Sequence, residues 1–196
     1  MPGGPWHILD VQWQVEAWRL LNEVMARHVR LIMLDYRGLG LSGGSYRMAT
    51  PDIVLQDIET LRRRLRLERW AVLAPNLAGP LGLTYAAEHP ERVSHLFLWC
   101  TTDHAADCSG GLFQMLHDAF SEDWKLFIET TSHISLGWNS GGIAHEFAMA
   151  VQQHVPADAF LHYEEILRAT SARHHVSQVT APTLVVHRRH LERMPV

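Results

Sequence analysis

The chain has 196 residues, 47% hydrophobic and 19% charged, with a formal net charge of −4. That length suits one domain with a full core and is short for two, and the composition excludes disordered and fibrous classes. No apolar run reaches a membrane span, Met1-Pro2-Gly3-Gly4 does not resemble a signal peptide, and Cys100 and Cys108 make neither a disulfide framework nor a CxxC pair, so a cytoplasmic protein is expected.

In chain order, VQWQVEAWRLLNEVMARH (11–28) spaces its apolar residues as a helix does, and VRLIMLD (29–35) reads as a buried parallel strand. A glycine-rich turn, YRGLGLSGG (36–44), follows. Thr50-Pro51-Asp52 then caps a second helix, which ends in LRRRLRL. The arginines there read as a solvated face beside a core face, not as a nucleic-acid surface. WAVLA (70–74) predicts a strand, NLAGPLGLTYAAEHP (76–90) a helix stopped by Pro90, and SHLFLWC (94–100) another strand. Residues 109–175 are helical and aromatic in pattern, broken at 137–142 and at Pro156, and TAPTLVVH (180–187) predicts a last strand. Alternating helices and strands predict an α/β fold with a parallel sheet. It divides into a first core part (1–108), a helical cap-like insertion (109–175), and a last core strand with its tail (176–196). The aromatics of the insertion (Phe120, Trp124, Phe127, Phe147, Phe160 and Tyr163 among them) could line a pocket or a dimer interface, and at helical spacing they are more often core.

Three stretches resemble the α/β-hydrolase superfamily, in particular esterase-like hydrolases found fused to cyclase or LuxR-type regulators. LDYRGLGLSGG (34–44) is similar to the D-x-R-G-x-G-x-S turn after that family's fourth strand. LAPNLAGPLGLTYAAEHPERVSHLFLWCT (73–101) is similar to its nucleophile elbow, following helix and sixth strand, and APTLVVHRRH (181–190) to its seventh strand. The resemblance implies a partial α/β-hydrolase-type sheet. It also implies that the chain begins just after the third strand and stops before the eighth. The family's strand order places the third strand between the fourth and fifth. A chain without it should have a collapsed gap or open edges, and a homodimer, with elements exchanged between copies, is the expected remedy.

The elbow departs from G-x-S-x-G. Its five positions are Ala74-Pro75-Asn76-Leu77-Ala78, so small residues flank the turn but the nucleophile is replaced by a carboxamide, which no base can turn into an alkoxide. Leu191 stands where the family's acid aligns, between His190 and Glu192, and the family's histidine belongs after a strand that the chain does not contain. The carboxyl ends of the strands mark where chemistry would sit. Asp35, Arg37 and Asn76 are the catalytic candidates there, with the amides of Gly4 and Leu77 as anion donors. Fourteen histidines are unusual in this chain, and His7, Asp103, His104, His187 and His190 are of the types that bind zinc or a similar divalent ion. Scattered surface histidines are the bland alternative. Two functions stay open: a non-serine, metal-assisted hydrolase of small carboxylic or phosphate esters, and an inactive relative that binds a small molecule or a partner. Neither involves nucleic acid or a membrane.

Overall fold

The computed structural model describes residues 1–108, 112–120 and 122–188. The first helical stretch forms two helices, α1 (Leu9–Gln14) and α2 (Glu16–Ala26), divided at Val15. Val15 takes an extended ψ of 114°, and its side chain is fully buried. Helix α3 (Pro51–Arg64) starts where its cap predicts. Thr50 Oγ1 accepts from the Ile53 amide at 3.2 Å, and Pro51 fills a position that needs no N–H. Its arginines are not uniformly solvated. Arg62 turns inward and donates to both oxygens of Glu59, at 2.9 and 2.7 Å, while Tyr85 Oη donates to the same carboxylate at 2.9 Å. Arg92 lies 3.1 Å from it. The Arg62 hydrogen bonds, helped by Tyr85 and Arg92, hold the Glu59 carboxyl down at about 2.

Three strands form one parallel sheet in the order β1 (Trp70–Pro75), β2 (Val93–Trp99), β3 (Thr183–Val186). Leu73 is paired with Phe97, and Phe97 with Leu184. Helix α4 (Gly79–Glu88) is the crossover from β1 to β2. Four helices, α5 (Leu112–Phe120), α6 (Trp124–Leu136), α7 (Gly141–His154) and α8 (Ala157–Arg168), separate β2 from β3. They share the sheet's core. Val72, Ala74 and Leu96 belong to the same buried cluster as Phe127, Val151, Phe160 and Tyr163, so the aromatic residues described in this stretch are largely core. Trp138 is the exception, 72% exposed. No helix among the described residues is long and apolar enough to cross a membrane.

The strand expected over 29–35 does not form; residues 30–36 have no regular structure. The physical reason is the lack of a neighbour. A strand is held by its ladder, and the sheet β1-β2-β3 offers 29–34 none; both 29–34 and β1 line one cavity. Leu31 to Leu34 are accordingly half-buried rather than core.

Candidate functional site

β1 runs straight into a 3-10 turn at Asn76–Ala78 and then into α4, so the strand–turn–helix elbow is built. Asn76 sits at its apex with φ +51°, in the left-handed region that asparagine tolerates better than most side chains. Three features hold it there. Thr101 Oγ1 donates to the Asn76 carbonyl, and the Leu77 amide donates to the Gly3 carbonyl at 3.0 Å. Gly79 lets α4 reach the end of β2, since a Cβ there would lie 1.9 Å from Thr101 Oγ1. The Asn76 carboxamide makes no hydrogen bond among the described residues and lines a cavity of about 840 Å³.

The opening glycine loop forms the wall beside this turn. His7 Nδ1 accepts from the Gly3 amide at 2.7 Å, and the His7 amide donates to Gly4 O at 3.0 Å. The neutral ring therefore carries its proton on Nε2. Burial, with the N-terminal amine close by, pushes His7 down to about 4. Burial also brings the Met1 amine to about 5, where it donates to Leu73 O at 2.7 Å.

The other expected site residues are dispersed. Asp35 is buried and structural: Oδ1 accepts from the Leu9 amide at 2.7 Å and Oδ2 from the Leu41 amide at 2.9 Å. Arg37 is clamped on Asp57 at 3.0 and 2.5 Å, and its carbonyl accepts from Tyr163 Oη at 2.8 Å. Neither lines the cavity. The Leu77 amide, expected as an anion donor, is occupied by Gly3 O because the glycine loop closes on the turn. Gly4 lies against the Trp6 ring, which a Cβ would meet at 2.5 Å.

The expected metal rim is not assembled. Asp103 pairs with Arg173 at 3.8 Å, and His104 Nδ1 lies 3.2 Å from the Thr170 carbonyl. His187, just past β3, stands apart with an unpartnered Nδ1, and His7 is committed to Gly3. No three His, Cys, Asp or Glu side chains among the described residues form a group able to hold a metal ion. His190, Leu191 and Glu192 lie outside the described residues.

The cavity contains residues that sequence reasoning passed over. Glu164 is 2% exposed, accepts from Arg168 Nε at 2.6 Å, and both line the cavity with Trp6, Cys100 and Phe160. A signal was present: an acidic and a basic residue four apart on the apolar face of α8, among Phe160, Tyr163 and Leu167. Thr101, the latch on the elbow, gave no comparable sign.

The family model described as the alpha/beta hydrolase fold matches residues 2–129. Among curated proteins, the chain is 26% identical over 182 residues to a putative carbamate hydrolase RutD of Rhizobium rhizogenes, covering 86% of this chain and 67% of that protein. It is 33% identical over 109 residues to the proline iminopeptidase of Neisseria gonorrhoeae, but spans 33% of that protein's length. Among solved structures it superposes on a meta-cleavage product hydrolase from Pseudomonas fluorescens (TM-score 0.71, 17% identity, 94% of this chain and 69% of that one). It also superposes on an esterase from Exiguobacterium antarcticum (TM-score 0.70, 20% identity, 90% and 68%). These likenesses establish the fold, and with the match over 2–129 and the strand–turn–helix elbow they place the chain in the α/β-hydrolase fold family.

Proposed function

We propose that the chain binds a small carboxylic ester, or an acyl compound of that shape, in the cavity at the Asn76 turn, and that no acyl-enzyme forms there. The observation that carries this reading is Asn76 itself. It holds the apex of a retained left-handed turn and offers an unpaired carboxamide to a largely apolar cavity. A carboxamide donates and accepts hydrogen bonds, so it can hold an ester carbonyl, but it cannot attack one. The relatives' names, a carbamate hydrolase and an esterase among them, support the ligand class.

The test measures binding and turnover of p-nitrophenyl esters, with and without chelator. Saturable binding without a burst of nitrophenol is expected, weakened about fivefold by Asn76→Ala through loss of one hydrogen bond. A stoichiometric burst would overturn the reading. Chelator-sensitive turnover would replace it with water activated on a metal.

A further inference from the structure

The carboxyl ends of the three strands form a row at the Asn76 end of the cavity. The ladder pairs Pro75 with Trp99 and Trp99 with Val186, so Asn76, Cys100 and His187 are the next positions on adjacent strands. The Cys100 amide donates to Val186 O at 2.8 Å, which carries the β2–β3 pairing up to the rim. Arg188 follows one residue on. Asn76, Trp99, Cys100 and Arg188 all line the cavity, so a carboxamide, an apolar stretch and a cation follow one another across the row. The sheet fixes the span. Two strand spacings put the end of β3 about 10 Å from the end of β1, and the reach of the two side chains leaves room for a chain of about three to six carbons.

The row also has a sign. Glu164 is the only acidic side chain lining the cavity among the described residues; it is 2% exposed and already accepts from Arg168 Nε at 2.6 Å. Arg188 is exposed and pairs with no carboxylate among the described residues. Of the other cations in the lining, Arg69 precedes β1 and stands a strand's length, about 20 Å, from Asn76, and Arg30, after α2, is not part of the row. A guanidinium presents a flat fork of donors that matches a carboxylate, and its single charge offsets one negative charge, not the two of a phosphate. We propose that Arg188 anchors a carboxylate of the ligand, so that the cavity takes half-esters of short dicarboxylic acids. The ester carbonyl lies on the Asn76 carboxamide, the carbon chain over Trp99 and Cys100, and the free acid on Arg188. This assignment rests on the ester-binding reading and narrows it from any small ester to one with an anionic end.

The experiment measures binding of monomethyl glutarate, and of its uncharged counterpart methyl pentanoate, to the full chain by calorimetry. The glutarate is expected to bind about tenfold more tightly, since charge-assisted hydrogen bonds exceed neutral ones, and the advantage shrinks in high salt. Arg188→Gln, a surface change, removes the advantage, and Arg188→Lys restores part of it. Asn76→Ala weakens both compounds alike. Monomethyl malonate, too short to span the row, gains nothing over methyl propanoate. Equal binding of the charged and uncharged compounds overturns the proposal and leaves the ester-binding reading standing, whereas failure of both to bind overturns the two together. An advantage that survives Arg188→Gln, or that Arg69→Gln or Arg30→Gln removes instead, puts the carboxylate elsewhere and overturns the proposal. So does an equal advantage for the malonate, since the anion is then not held at a fixed distance from the ester.

Discussion

Asn76 combines an unusual conformation with an ordinary side chain, and each half predicts something. Its φ of +51° suits asparagine or glycine, so Asn76→Ser should lower stability by about 1 kcal/mol in chemical denaturation, and Asn76→Gly by less. The serine variant should also remain unlabelled by a fluorophosphonate probe, because His7, an imidazole lining the cavity beside the turn, has Nδ1 occupied by the Gly3 amide. Covalent labelling of that variant would contradict this. His7 also predicts a pH dependence. Its folded value of about 4 lies below the unfolded 6.5, so the unfolded chain binds the extra proton between those limits. Stability therefore rises from pH 4 to 6.5 and is lost as pH falls through that window, by on the order of 3 kcal/mol for the imidazole. The Met1 amine, at about 5 against 8.0, extends the same trend upward to pH 8. Urea melts from pH 4 to 8 should show the slope, and His7→Asn should flatten its lower part. At this scale the sequence revealed Asn76 at the apex of the turn clearly, since the position follows from one short local motif. It misplaced Asp35 and Arg37, because whether a charge faces a cavity or ties loops together depends on partners such as Leu9 and Asp57, distant along the chain.

Among the elements, β1, β2, β3, α3 and α4 were legible because their signals are local: short β-branched or aromatic runs, a Thr-Pro cap, a stop at Pro90. Residues 29–35 carry an equally strong strand pattern and form none. Pattern describes what a segment can pair with, and only tertiary structure provides the pair. The histidine-bearing loop at 103–104 failed as a metal rim for a similar reason. Its backbone and the His104 ring are taken up by Thr170 and Ala172, contributed after α8. The elbow's own assembly is testable at this scale. Gly79→Ala forces a methyl onto Thr101 and should lower stability by about 1–3 kcal/mol. The loss should be smaller in a Thr101→Ser background, where the 2.6 Å clash with Thr101 Cγ2 is gone. Equal losses in both backgrounds would mean that the turn relaxes elsewhere.

Across the whole molecule, one buried cluster joins sheet and helices, so the helical stretch between β2 and β3 should unfold together with the sheet. The weakness lies at the margin. Leu184 and Val185 of the outer strand β3 are 58% and 55% exposed, an apolar edge that invites pairing between copies. Val185→Lys should reduce concentration-dependent light scattering while leaving the melting temperature within about 2 °C, as surface changes usually do. Scattering unchanged by that substitution would place self-association elsewhere.

The hydrogen bond from the Leu77 amide to Gly3 O bears on inhibitor design. Boronic acids and phosphonates gain affinity for esterases when an amide stands ready for the charged tetrahedral adduct. In this turn that amide already points at a carbonyl oxygen, so a lone pair occupies the place of the missing charge. A boronate should therefore bind no more tightly than the matching neutral alcohol, which a competition assay reads directly, and a panel of transition-state mimics would pass over this turn.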